Sequence, residues 1–213
     1  MTQQQKGNIS IHAQNIMPII KRWLYSDKDI FVREMVSNGC DAITKEKMLH
    51  PDQECDYRVT VTLDKDAKEI RFADNGIGMT AEEVEKYINQ VAFSGAEEFL
   101  KNYEGDNKGG IIGHFGLGFY SAFMVADKVT IDTLSAEGAE PVRWISEDGM
   151  AFTMETGDRT ERGTVITLHI SEEESEFLEE YRLREVLHRY CGFMATPVYF
   201  DIVKVEEPAE EKT

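Results

Sequence analysis

The stretch "YRVTVTLDKDAKEIRFAD", residues 57–74, alternates apolar and polar side chains on both sides of a polar turn. Period-two alternation in two such arms predicts a β-hairpin. Its flanks decide what the hairpin belongs to. On the N-terminal side, residues 13–49, "AQNIMPIIKRWLYSDKDIFVREMVSNGCDAITKEKML", carry a helical pattern that breaks near Ser26 and Asp27, so two helices in series are expected after a short apolar alternation at Ile9 and Ile11. On the C-terminal side, Thr80 and Glu83 form the T-x-x-E of a capping box and open a helix expected to run through Leu100. Residues 102–118, "NYEGDNKGGIIGHFGLG", are glycine-rich and lead into a short apolar helix, "FYSAFMVA". Strands follow at "KVTIDTL", "PVRWIS", "AFTMET" and "GTVITLHI", then a helix across "EFLEEYRLREVLHRY" and a last strand, "PVYFDIV".

Strands here mostly follow strands, and helices come in blocks, so strict βαβ alternation is excluded. The expectation is an α+β fold: a two-layer sandwich with helices on one face of a mixed, mainly antiparallel sheet. The 213 residues, 41% of them hydrophobic, suffice for one large core. One domain over residues 1–204 is expected, with residues 205–213 starting a charged linker.

Composition narrows function. The formal charge of −17 disfavours non-specific binding to nucleic acid, which needs Lys and Arg to neutralise phosphates. It does not forbid a small phosphate ligand accompanied by a metal cation. No apolar run reaches the roughly 18 residues of a membrane span, and the polar start "MTQQQKGNIS" lacks the pattern of a secretion signal, so a cytoplasmic protein is expected. Cys40, Cys55 and Cys191 are odd in number and widely spaced, which suggests buried thiols. The five histidines show no ligand spacing, and no zinc site is expected.

Three places gather chemistry. In "FVREMVSNGCDAI", residues 31–43, Glu34, Asn38 and Asp41 fall at i, i+4 and i+7 and form one polar stripe, about 60° wide, at the margin of the apolar arc. Taken alone, such a helix is more often an ordinary amphipathic one whose solvent face begins at Glu34. "DNGIGM", residues 74–79, combines a carboxylate at a strand end with two glycines that let a ligand approach the backbone, and Asp74 suits an exocyclic amine such as that of adenine. "GGIIGHFGLGFYSAF" places Gly109, Gly110, Gly113, Gly116 and Gly118 before a helix start, where backbone amides suit phosphate, although a plain flexible loop has the same composition. The segment lacks the spacing of a P-loop or a dinucleotide fingerprint. A fourth segment, "RGTVITLHI", with Thr164 at the head of a strand, is uninformative by itself.

In combination and in this order, E-x-x-x-N-x-x-D, D-x-G-x-G-M, G-x-x-G-x-G and G-T-x-I resemble the ATP-binding superfamily shared by gyrase, mismatch-repair, histidine-kinase and heat-shock ATPases, the Bergerat-type fold. "LYSDKDIFVREMVSNGCDAI", "GHFGLGFYSAFMVADKV" and "EFLEEYRLREVLHRYCGFMATPV" narrow the resemblance to the N-terminal domain of the ninety-kilodalton heat-shock chaperones, most like the bacterial form. The resemblance implies ATP or ADP as ligand and ATP hydrolysis as activity. It makes Glu34 the general base and Asn38 the holder of Mg²⁺, with Asp41 lining the pocket. Asp74 would meet the adenine amine, with Gly78, Met79 and Thr164 beside the base. Gly113, Phe115, Gly116, Gly118 and Phe119 would surround the phosphates under a lid. It further implies client proteins, a homodimer in the full-length protein, a monomeric isolated domain of slow turnover, and a middle domain supplying a catalytic arginine. Some positions depart from the family pattern: Phe93 replaces a lysine, Ala96 a threonine and His114 a glutamine, and Gly39-Cys40 replaces alanine-serine. These departures bear on lid closure and turnover rate.

Overall fold

The computed structural model describes residues 5–8, 28–90, 117–149 and 151–203. Among them an eight-stranded sheet runs in the order β1-β6-β5-β4-β7-β3-β2-β8. The strands are β1 (Gln5–Asn8), β2 (Val59–Asp64), β3 (Glu69–Asp74), β4 (Ala126–Leu134), β5 (Val142–Ser146), β6 (Ala151–Thr156), β7 (Gly163–Ile170) and β8 (Val198–Ile202). Every pairing is antiparallel except β2 with β8. The sheet is therefore mixed and mainly antiparallel.

The hairpin forms as its alternation requires. Val61 pairs with Phe72 and Leu63 with Ile70, and all four are buried. That apolar face meets α1 (Ile30–Leu49), whose Phe31, Val32, Met35, Val36 and Ile43 complete the core, while α3 (Glu180–Cys191) packs beside α1 with Leu183, Val186 and Leu187. At the start of α1 the buried Asp29 accepts from Arg189 at 3.0 Å and from Arg182, so two guanidinium groups of α3 compensate one buried carboxylate. This clamp anchors the end of α1 that carries Glu34.

Three expectations are corrected in detail. The capping box is present, with Thr80 accepting from Glu83 N at 3.2 Å and Glu83 from Thr80 N at 3.0 Å. The helix it opens, α2 (Ala81–Val84), passes into a π-helical turn over Glu85–Gln90, where buried Asn89 donates to Glu85 at 2.7 Å and accepts from Trp144 at 3.0 Å. The short apolar helix is a 3₁₀ helix, Leu117–Met124, and Ser121 Oγ bonds Gly118 O across its i, i+3 spacing. The helix expected over 176–190 is interrupted: a 3₁₀ turn, Glu172–Leu178, ends at Glu179 with extended backbone before α3 begins. The break lets Phe177 turn inward, its ring edge-on to Phe31 at 5.0 Å. The first helix of the expected pair, the alternation at Ile9 and Ile11, most of the glycine-rich segment and the boundary at residue 204 lie outside the described residues.

Candidate active site

Strand register assembles the floor of the site. Asp74 continues the inward row of Ile70 and Phe72 on β3; Thr164 starts the inward row of Ile166, Leu168 and Ile170 on β7; Thr133 ends the inward row of Val129 and Ile131 on β4. Asp74 pairs with Thr164, and Thr164 with Thr133. Three adjacent strands thus place a polar residue at the same end of their core-facing rows. Burying polar groups there costs free energy unless they bond. The bonds are made: Thr133 Oγ1 lies 2.9 Å from Thr164 Oγ1 and 3.2 Å from Gly163 O, and it accepts from Met79 N at 2.9 Å.

Above this floor lies a cavity of ≈ 760 Å³, a volume in the range of small-ligand sites. Phe72, Ile131 and Ile166 line its apolar base, and Glu34, Asn38 and Asp41 line its α1 wall. Gly78, Met79, Gly118, Phe119 and Thr164 complete the expected residues that the cavity brings together with Asp74. Gly113, Phe115 and Gly116, like Phe93, Ala96 and His114, lie outside the described residues. Of the Gly39-Cys40 pair, Gly39 lines the cavity, whereas the Cys40 thiol contacts Met194 sulfur at 3.8 Å.

The geometry explains two glycines. Gly78 takes a positive φ of 67°, and a side chain there would collide with the Leu134 carbonyl, so the 76–79 turn can lie flat against the end of β4. Ala136 N to Ile77 O at 2.8 Å and Ile77 N to Ala42 O at 3.2 Å stitch this turn to the β4 end and to α1. At Gly118 a Cβ would strike the Glu34 carboxylate, so the 3₁₀ helix approaches Glu34 closely only because no side chain intervenes. The other face of the Glu34 carboxylate accepts from Arg33 at 2.7 and 3.1 Å.

Asp74 is the electrostatic outlier. Burial pushes its carboxyl up to about 7, against the opposing pull of the Gly76 backbone N–H, Arg159 and the Thr164 backbone N–H. The Gly76 N–H donates to Asp74 Oδ1 at 2.9 Å. A shift of this kind in a cavity is a marker of functional sites.

Residues not anticipated also face the cavity. Lys45 continues the α1 stripe at i+11 from Glu34 and reaches Glu83 at 3.3 Å; extending the spacing by one turn would have found it. Thr133 was hidden because a threonine near a strand end is ordinary; its inward parity was the available signal. Among the described lining residues, Lys45 is the one cation against Glu34, Asp41, Asp74 and Glu83.

Residues 28–150 match the model of the family described as histidine kinase-, DNA gyrase B- and HSP90-like ATPases. The chain is 50% identical over 202 residues to proteins named chaperone protein HtpG in Porphyromonas gingivalis and Bacteroides fragilis, covering 92% of this chain and 29% of each relative. A chaperone protein HtpG of Pseudoalteromonas translucida is 40% identical over 221 residues, covering 99% of this chain and 34% of that protein. The chain therefore spans about a third of the length of the curated relatives it matches. With the mixed sheet and the cavity between its end and α1, the match identifies the chain as a member of the histidine kinase-, DNA gyrase B- and HSP90-like ATPase family.

Proposed function

We propose that this chain is the ATP-binding and ATP-hydrolysing domain of a cytoplasmic HtpG-type chaperone, whose full-length form dimerises and acts on client proteins. The observation that carries the reading is Asp74: a carboxylate on a core-facing row, at the floor of a ≈ 760 Å³ cavity whose other wall is the Glu34, Asn38 and Asp41 stripe. A deep apolar slot ending in an acceptor suits the flat face and amine of adenine. Beside it, Gly78, Met79 and Thr164 would flank the base, while Gly113, Phe115, Gly116, Gly118 and Phe119 would receive the phosphates.

Four acidic lining residues against one lysine would repel a polyphosphate unless a divalent cation came with it. Asn38 would hold that Mg²⁺ through its amide oxygen, a donor suited to a hard cation. When bound, the ion neutralises phosphate charge. Glu34 would orient a water and accept its proton, with Arg33 steadying the carboxylate from the opposite side. Calorimetry should give one ADP or ATP per chain and very slow turnover in this chain alone, because an arginine from elsewhere contributes about 10³ to 10⁵ in phosphoryl transfer. No heat of binding with either nucleotide, in the presence of Mg²⁺, would refute the reading.

The Asp74 shift makes affinity depend on pH. The ionised form accepts the adenine amine, and protonation removes an acceptor, so affinity falls as pH drops through about 7. Between pH 8 and pH 6 the expected loss of ADP affinity is about tenfold. A flat profile would mean that Asp74 does not meet the base.

A further inference from the structure

We infer that Arg162, paired with Glu46, is the positioning residue for the base-binding half of the cavity. Neither side chain lines that cavity. Glu46, on α1, is fully buried, and its two carboxylate oxygens are divided between Arg162 Nη1 at 2.7 Å and His50 Nδ1 at 3.1 Å. The Arg162 guanidinium then reaches three further places. Its Nε donates to Asn75 O at 3.3 Å, its Nη1 also bonds Gln53 Oε1, and its plane lies over the Tyr57 ring, 5.4 Å from the centroid. In sequence it directly precedes Gly163 and Thr164, the head of β7.

One guanidinium thus ties together the last turns of α1, the Asp74-Asn75-Gly76 turn, the 50–57 loop and the start of β7. Asp74 and Thr164 stand one and two residues from its attachment points. The Asn75 side chain reinforces the same corner, accepting from Arg58 N at 2.9 Å and donating to Asp56 O at 2.8 Å. The planar fork is what permits this: Nε serves the turn while Nη1 serves Glu46. A lysine can satisfy Glu46 as a point charge but cannot hold both at once. Among the described residues, the contacts of Arg162 and Glu46 include neither Gly118 nor Glu34, on the phosphate side.

The inference rests on the nucleotide reading above and predicts a selective defect. In Arg162→Lys the Glu46 charge stays compensated, yet the turn carrying Asp74 loses its tether. Adenosine and ADP should both bind about tenfold more weakly, by the same factor, since both depend on the base pocket. Glu46→Gln, which keeps the hydrogen bond and removes the charge, should give a smaller loss with the same equality. Calorimetry with adenosine and with ADP, on variants whose melting curves show cooperative unfolding, reads both. Unchanged affinity in a folded variant, a loss confined to ADP, or failure of both variants to fold would overturn the positioning role and leave only a structural ion pair. If the unmodified chain binds neither ligand, the nucleotide reading fails; if it binds both and the variants match it, this inference alone fails.

Discussion

Asp74→Asn is expected to abolish adenine-nucleotide binding while raising the melting temperature of the free chain. Both effects follow from one position. Asp74 occupies an inward place on β3, and burial has pushed its carboxyl from 3.8 up to about 7. A group whose folded value lies above its unfolded value favours folding when protonated; that contribution is fully present below about 3.8 and is lost as pH rises through about 7. At pH 8 the native chain therefore bears the cost of a buried charge. An amide of the same shape removes it. Its oxygen can still accept from the Gly76 N–H, which turns the NH₂ toward the cavity, where an adenine amine needs an acceptor. A lost hydrogen bond to a charged group costs roughly 1.5 to 3 kcal/mol, and a donor facing a donor adds to it, so affinity should fall by about 10²-fold or more. Calorimetry with ADP and a melting curve at pH 8 check the two halves together. Retained affinity would remove Asp74 from the base site, and a lowered melting temperature would show that its charge is compensated.

Glu34→Ala is expected to separate binding from chemistry. The carboxylate stands on the α1 wall between Arg33 and the bare backbone of Gly118, close to where phosphates would enter. A positioned general base contributes about 10² to 10⁴ in rate and little to ground-state affinity. Placed in the full-length protein, the variant's turnover at saturating Mg-ATP should fall by that factor, with the dissociation constant unchanged within roughly twofold. The isosteric Glu34→Gln keeps the contacts with Arg33 and Gly118 and should be as slow. A variant that hydrolyses at the parent rate would place the base elsewhere.

Much of this was legible in the chain because it is local. Alternation at Val59, Val61 and Leu63, the i, i+4, i+7 stripe of Glu34, Asn38 and Asp41, and the Thr80–Glu83 capping box each repeat a backbone period within a few residues. The physics that forms a strand or a helix turn acts over the same span, so the pattern and its cause coincide. The four motifs in order carried the family for the same reason. In two places local geometry failed because a distant side chain set it. The helix over 176–190 breaks at Glu179 because Phe177 has a place waiting beside Phe31, and the helix after Thr80 widens where Asn89 meets Trp144.

What the tertiary structure decided is adjacency. Thr133 and Thr164 are unremarkable one by one; sheet register puts them side by side with Asp74 at the end of three apolar rows. Arg162 lies 116 positions from Glu46 and 87 from Asn75, and no periodicity relates them. A β pairing or a buried ion pair draws its free energy from burial that exists only once remote strands and helices have closed over it. The sequence by itself therefore determined the elements, the stripe and the family, while the folded sheet decided that a carboxylate at the end of β3 faces the core, and which arginine holds its turn.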